Sequence, residues 1–144
     1  MRTTLLSLAA ALLLTGCASL HGEDSDIERY PFGGSAPLSE AVRVDDVVYL
    51  SGKLGLSRDG EQGITAETRR TMENIKTSVE AKGGTMADIV KCTVFLTNMS
   101  DYGAMNDVYR EYFPENPPAR SAVGVSELVA NALIEIECIA VIDD

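Results

Sequence analysis

A nearly continuous apolar run at residues 133–142, close to the C-terminus, constrains the fold more than any other feature of the chain. Its length and its isoleucine and valine content predict a β-strand. A strand this apolar is expected to be buried on both faces of a sheet. The rest of the chain supplies two helices, enough to cover one face. We therefore expect the other face to contact a second subunit, so that the protein is an oligomer.

The residues before this run alternate between strand and helix patterns. They predict a strand or hairpin over residues 42–52, a helix capped by Thr65 and stopped by Gly83 and Gly84, and a strand over 89–96. A second helix, capped by Ser100 or Asp101 and stopped by Pro114, and a strand over 121–125 follow. Each helix has an apolar stripe that we interpret as core, with Ala66, Met72, Ile75 and Val79 in the first and Tyr102, Met105, Tyr109 and Tyr112 in the second.

The first sixteen residues have the layout of a secretory signal peptide. Arg2 precedes an apolar run at residues 5–14, and about ten residues is only half the length that a helix needs to span a bilayer. Residues 14–17, with the sequence LTGC, resemble a lipobox, at which a bacterial lipoprotein is cleaved before a lipid-modified cysteine. We expect lipidation of Cys17; an ordinary secreted protein with a coincidental cysteine is the alternative.

The segment after the predicted cleavage site is polar and rich in turn-forming residues. We interpret residues 17–37 as the lipidated cysteine with a flexible tether, and residues 38–144 as one folded domain. Ala18 and Ser19 stand where an aspartate often retains lipoproteins at the inner membrane, so the expected location is the periplasmic side of the outer membrane. His21, the single histidine, lies in the tether and is interpreted as a surface residue, not a metal ligand.

The charge balance restricts the partners of this protein. The chain has 12 basic and 22 acidic residues, for a formal net charge of −10. Because proteins bind nucleic-acid backbones through clustered lysine and arginine, this balance argues against a nucleic-acid partner.

Two cysteines remain once Cys17 is assigned to the lipid. Cys92 and Cys138 both lie in apolar, strand-like segments. An exported compartment permits a disulfide between them. Cysteine is nevertheless among the most buried residue types, and a sequence does not supply the geometry of a disulfide. We therefore favour two buried free thiols.

Two charged residues near the C-terminus are the candidates for chemistry. Arg120 stands at the entry to a predicted strand, and Glu135 lies inside the apolar run with Glu137 on the same face. A charge in a buried strand needs a partner. The spacing therefore favours either a solvated edge or, if the last two strands are close, a salt bridge from Glu135 or Glu137 to Arg120. Alternatively, the guanidinium binds a substrate carboxylate while a carboxylate of raised pKa moves a proton.

Several segments resemble the RidA/YjgF family of reactive enamine/imine deaminases, also named endoribonuclease L-PSP. The C-terminal signature is carried by residues 118–123 (PARSAV) and 134–136 (IEI). Upstream matches are residues 49–52 (YLSG), 74–76 (NIK) and 88–96 (DIVKCTVFL), followed by Asn106 and Tyr109. The resemblance covers residues 38–142 and implies a chorismate-mutase-like α+β fold, in which a mixed β-sheet is backed by two helices on one face. It also implies a homotrimer with sites between subunits.

The resemblance implies roles for individual residues. Arg120 matches the arginine that binds the carboxylate of 2-aminoacrylate or a related 2-imino acid. Glu135 matches the glutamate that orients or deprotonates the attacking water, so that ammonia and a 2-keto acid are released. Ser51, Asn106 and Ala122 are expected to line the substrate site. No metal or organic cofactor is implied.

The chain departs from the family pattern at three positions. Leu38 replaces a tyrosine expected beside the substrate, Ala122 replaces a reactive cysteine, and Lys53 replaces a glutamine. Because water is the nucleophile, hydrolysis does not require the cysteine. Loss of the tyrosine is expected to alter substrate choice.

These observations predict an enzyme that hydrolyses reactive enamines and imines. The alternative is a non-catalytic periplasmic trimer that binds small carboxylates or acts as a chaperone. A ribonuclease is a third option, against which the acidic charge and the single His21 argue. The predicted export weakens the case for 2-aminoacrylate itself, because that substrate arises from cytosolic pyridoxal-phosphate enzymes.

Overall fold

The structure, a computed structural model, describes residues 25–143. The predicted signal peptide at 1–16, Cys17 and His21 lie outside these residues. The described part contains seven strands and two α-helices: β1 (Ile27–Pro31), β2 (Ser39–Val44), β3 (Val47–Leu50), β4 (Lys53–Leu54), α1 (Ile64–Glu80), β5 (Ile89–Leu96), α2 (Tyr102–Tyr112), β6 (Ala119–Gly124) and β7 (Ile134–Val141). Within residues 25–143, no helix is long and apolar enough to cross a membrane.

The strands form one mixed sheet. Its order is β1-β2-β3-β7-β5-β6, and β4 also pairs with β7. The β5–β6 pair is parallel and the other pairs are antiparallel. Both helices pack on one face, since Met72 and Ile75 of α1 and Met105 of α2 share a buried core with Val94 and Ile136 of the sheet. The predicted α+β fold with two helices on one face is therefore confirmed.

The face of the sheet opposite the helices is only partly covered within one chain. Along β7, Ile134, Ile136, Cys138 and Ala140 are buried, while the intervening residues are half-buried or exposed. The prediction that this strand is buried on both faces therefore does not hold for the single chain. We call this second surface the open face of the sheet.

The strand β1 corrects the interpretation of residues 17–37 as a flexible tether. Residues 27–31 pair with β2 in antiparallel register, from Ile27 opposite Val44 to Tyr30 opposite Ala41. The folded domain thus begins before residue 38. The segment was misassigned because an edge strand is held mainly by backbone hydrogen bonds, so most of its side chains are exposed and show no apolar alternation.

A disulfide between Cys92 and Cys138 corrects the expectation of two free thiols. The two residues stand directly opposite each other on β5 and β7, with 4.1 Å between their Cα atoms. Directly opposed residues of an antiparallel pair have side chains close enough to join. The expectation was wrong because it depended on the β5–β7 register, which strand patterns alone do not determine.

Candidate functional site

Arg120 lies on the edge strand β6, on the side of the sheet that carries the helices. It is opposite Cys92 in the parallel β5–β6 register, so its side chain extends toward α2. The guanidinium carbon lies 4.6 Å from the centre of the Tyr109 ring, and Nη2 donates a hydrogen bond of 3.1 Å to the Tyr102 hydroxyl. Nη1 is 3.9 Å from the sulfur of Met105. Three side chains on one stripe of α2 therefore fix the orientation of the guanidinium.

A cleft of about 560 Å³ opens beside Arg120 and is also lined by Asn106 and Tyr109. Hydrogen bonds from Asn106 and from Arg120 lower the pKa of Tyr102. Among residues 25–143, the buried Tyr109 hydroxyl has no hydrogen-bond partner, and burial raises its pKa to about 12. The cleft thus combines a cation with neutral hydrogen-bonding groups, a combination suited to a small carboxylate.

Tyr102 is a site residue that the sequence analysis assigned wrongly to the core. Met105 and Tyr109 of the same stripe are buried as predicted, but 39% of Tyr102 is exposed. In the described part of the chain, β6 is the last strand at this edge of the sheet, and Tyr102, the first residue of the stripe, lies beside it. Helical spacing shows that these residues share a face, but not where the underlying sheet ends.

Glu135 lies on the open face of the sheet. It stands on β7 opposite Phe95 of β5 and Leu54 of β4. Its carboxylate rests on Gly52, where a Cβ atom would lie 2.8 Å from the carboxyl carbon. Burial, and next the charge of Glu137, raise the pKa of Glu135. A carboxylate whose pKa is raised is suited to accept a proton near neutral pH.

The residues on both sides of Gly52 are held by the segment that starts β2. The Ser51 hydroxyl donates to the carbonyl of Ser39 over 2.7 Å, and the Ser51 N–H donates to the carbonyl of Glu40 over 3.1 Å. The ammonium of Lys53 donates to the Glu40 carboxylate over 2.5 Å. Lys53, which replaces the family glutamine, therefore makes its ion pair with Glu40.

Arg120 and Glu135 do not meet within one chain. Strand β5 separates β6 from β7, and the two side chains extend from opposite faces of the sheet. The expectation of a salt bridge between the last two strands is therefore wrong. We call Tyr102, Asn106, Tyr109 and Arg120 the Arg120 half-site, and Ser51, Gly52 and Glu135 the Glu135 half-site.

Two further positions singled out in the sequence, Ala122 and Leu38, lie outside the two half-sites as defined. Ala122 follows Arg120 by two residues on β6, is half-buried and packs against the core. Leu38 precedes β2 and is 47% exposed. Within residues 25–143, no group of three or more histidine, cysteine or acidic side chains is placed to hold a metal ion.

Comparison with known proteins was made by sequence and by structure. The family model described as endoribonuclease L-PSP matches residues 31–142. A protein of the mite Dermatophagoides farinae named 2-iminobutanoate/2-iminopropanoate deaminase is 44% identical over 111 residues, covering 74% of this chain and 87% of the relative. The human protein of that name is 34% identical over 113 residues, covering 76% and 82%.

Solved structures agree with these sequence matches. RidA from the Antarctic bacterium Psychrobacter superposes with a TM-score of 0.69 at 38% identity, covering 79% of this chain and 94% of that protein. A putative endoribonuclease from Thermotoga maritima superposes with a TM-score of 0.71 at 39% identity, covering 76% and 89%. The chain belongs to the RidA/YjgF family, whose sequence model is described as endoribonuclease L-PSP.

Proposed function

We propose that this protein hydrolyses 2-imino acids, and the enamines that tautomerise to them, to 2-keto acids and ammonia. The observation that carries the proposal is the division of the site into a carboxylate-binding half around Arg120 and a proton-accepting half around Glu135. Curated relatives at 34–44% identity are named for this reaction on iminobutanoate and iminopropanoate, which supports the substrate class.

The active site in this proposal forms between subunits of a homotrimer. Each chain carries the Arg120 and Glu135 half-sites on opposite faces of its sheet, so a complete site requires the Arg120 half-site of one chain and the Glu135 half-site of a neighbour. The open face supports this assembly, because it presents apolar side chains among its polar ones. These are Tyr49, Phe95, Val123, Ile139 and Val141.

In the proposed reaction, Arg120 binds the substrate carboxylate and Glu135 acts on water. Glu135 accepts a proton from water as the water oxygen bonds to the imine carbon, and it returns that proton to the imine nitrogen to give the carbinolamine. Glu135 then transfers the hydroxyl proton of the carbinolamine to its amino group as the C–N bond breaks, so that ammonia leaves and a 2-keto acid remains. Each step uses only water and these side chains, so the reaction requires neither an oxidant nor a reductant.

The rate of 2-keto acid formation tests the proposed reaction. Purified protein is supplied with imino acids generated in place by an amino-acid oxidase, and 2-keto acid formation is followed with Arg120→Ala and Glu135→Gln. We expect both variants to lose turnover. Arg69→Ala is the matched control, because Arg69 is exposed, pairs with Glu111 and does not line the cleft. Absence of turnover in the wild type would overturn the proposal.

Carboxylate binding without turnover is the second candidate function. It is favoured by the Arg120 half-site, which is assembled within a single chain and includes a cleft of its own. Calorimetry with a keto acid or benzoate distinguishes the candidates. Saturable binding that Arg120→Ala removes, in a protein without deaminase activity, identifies a binding protein.

We also propose that the folded domain is anchored on the periplasmic side of a bacterial membrane by lipid on Cys17, with the outer membrane as its location. The support is the signal-peptide pattern and the LTGC motif at residues 14–17. Metabolic labelling with radioactive palmitate tests the anchor. Label is expected in the wild type and absent from Cys17→Ala, whereas an unlabelled wild type would contradict the proposal.

A further inference from the structure

A compact ionic cluster lies beside the Glu135 half-site. The carboxylate of Glu40 accepts hydrogen bonds of 2.5 Å from the ammonium groups of both Lys53 and Lys82, and another from the hydroxyl of Ser78. Only 12% of the Lys53 side chain and 4% of the Lys82 side chain is exposed. Burial alone would raise the pKa of Glu40, but the hydrogen bonds from Lys53, Lys82 and Ser78 lower it to about 2. Glu40 is therefore ionised at neutral pH.

The two lysines attach Glu40 to different parts of the fold. Lys82 follows the end of α1, and its ammonium also donates to the carbonyl of Ser78. Lys53 is the residue immediately after Gly52, at the start of β4. The Glu40–Lys53 ion pair thus acts on the backbone of the Glu135 half-site, whereas the Glu40–Lys82 pair acts on α1.

The other side of Gly52 is held by the same segment. The backbone N–H of Ser51 donates to the carbonyl of Glu40, and its hydroxyl donates to the carbonyl of Ser39. Gly52 therefore lies between two residues that are both fastened to the start of β2. A displacement of Gly52 therefore distorts these contacts.

Gly52 in turn supports the carboxylate of Glu135. A Cβ atom at Gly52 would lie 2.8 Å from the Glu135 carboxyl carbon and 3.0 Å from its Cγ atom, so the two residues are packed without spare room. A shift of this backbone by a fraction of an ångström changes the space available to the carboxylate. Misplacement of a reacting group by about 1 Å can lower a rate by about a hundredfold.

We propose that Glu40 and Lys53 form a clamp that positions Glu135 through the backbone of Gly52. Both are positioning residues, since neither touches the reacting atoms. The catalytic consequence of the clamp rests on the proposed function, but the structural consequence does not. The structure therefore assigns a role to Lys53, the position at which this chain departs from the family glutamine.

The groups around Glu135 determine how the clamp affects the pKa of its carboxylate. Among the charged groups on neighbouring strands, Glu137 shares its face of β7, Lys91 of β5 donates to Ser121, and Lys53 of β4 is paired with Glu40. Burial and Glu137 raise the pKa of Glu135, and Lys53 is not among the causes, so the charge lost in a Lys53 variant is expected to matter less than the extra solvent that a loosened Gly52 backbone gives the carboxylate. Its pKa, which burial raises, is then expected to fall.

The test compares Lys53→Met with Lys82→Met. Each variant removes one lysine partner of Glu40 at the same distance and leaves Glu40 paired with the other. The clamp predicts that Lys53→Met lowers kcat by about tenfold with KM nearly unchanged, because Arg120 is untouched. It also predicts that the acidic limb of the pH–rate profile moves to lower pH. Lys82→Met is expected to change neither kcat nor the limb.

A measurement that does not need turnover separates this proposal from the proposed function. The carboxyl carbon of Glu135 is followed by NMR during a pH titration, with its signal assigned by comparison with Glu135→Gln. The titration midpoint is expected to fall in Lys53→Met and to stay unchanged in Lys82→Met, even if the wild type proves inactive. Equal effects of the two variants, or none, would overturn the clamp. Thermal unfolding verifies that each variant is folded, and Lys53→Gln replaces Lys53→Met if it is not.

Discussion

Arg120 and Glu135 lie on opposite faces of one sheet, and strand β5 separates the strands that carry them. One is fixed against the aromatic stripe of α2 and the other against the backbone of Gly52. A single chain therefore does not bring the two side chains together. The proposed chemistry depends on a neighbouring subunit to bring them together.

Tyr102 orients Arg120, so removal of its hydroxyl is expected to weaken substrate binding. Tyr102→Phe keeps the ring and removes the acceptor that lies 3.1 Å from Nη2. Loss of one hydrogen bond to a charged group predicts a rise in KM of about tenfold. Steady-state kinetics measures the effect. Tyr112→Phe is the control, because the Tyr112 hydroxyl bonds to Glu73, away from Arg120; equal effects of the two variants would show that Tyr102 has no special role.

Gly52 must lack a side chain if Glu135 is to keep its position. Gly52→Ala places a methyl group where the carboxylate lies and is expected to lower kcat by about a hundredfold. Gly103→Ala is the matched control, since a Cβ atom there has no neighbour within 4 Å. Kinetic assays of the two variants provide the comparison. Full activity of Gly52→Ala would show that Glu135 tolerates displacement.

The disulfide is expected to contribute substantially to stability. Cys92 and Cys138 are separated by 46 positions in the chain, and a crosslink closing a loop of this size contributes about 2–4 kcal/mol. In urea unfolding, the double variant Cys92→Ala with Cys138→Ala is expected to have a free energy of unfolding lower by this amount. A reductant is expected to destabilise the wild type but not the double variant. Titratable thiols at these two positions in unreduced, unfolded wild-type protein would contradict the crosslink.

Glu40 makes the stability of the protein sensitive to acid. Its pKa is about 2 in the folded protein and 4.5 when unperturbed. Its ionised form therefore stabilises the fold fully above pH 4.5, and this contribution is lost as the pH falls from 4.5 toward 2. Glu40→Gln leaves buried lysines unpaired and is expected to cost about 3 kcal/mol at pH 7.

Chemical unfolding between pH 7 and pH 3 measures the acid effect. The curve for Glu40→Gln should be flatter than that of the wild type below pH 4.5. Glu111→Gln is the control, because Glu111 pairs with Arg69 at the surface and exposed pairs contribute little. Parallel curves for the wild type and Glu40→Gln would contradict the assigned pKa.

Much of the fold follows from local patterns in the chain. Alternation predicted the strand at 89–96, and helical spacing predicted the buried stripe of α1, because each pattern is set by one element packing on one core. The expected cap at Thr65 was wrong by two positions: α1 begins at Ile64, so Thr65 lies inside the helix, and Gly63, with φ of 97°, takes the capping position.

The errors share a different physical origin. The strand β1, the disulfide and the separation of Arg120 from Glu135 all depend on which strands are neighbours and in what register. Residue spacing within one segment does not determine which strands are neighbours, nor the register between them. The resemblance to the RidA/YjgF family pointed to Arg120 and Glu135 but not to Tyr102, and the structure was needed to place the first two on opposite faces.

Complementation between inactive subunits tests the central claim most directly. Arg120→Ala and Glu135→Gln are each expected to be inactive alone. When the two are unfolded together in equal amounts and refolded, random assembly into a ring leaves about a quarter of the interfaces with both native residues. The account predicts recovery of about that fraction of wild-type deaminase activity. Mixed oligomers that are verified by native mass spectrometry but show no activity would contradict a site shared between subunits.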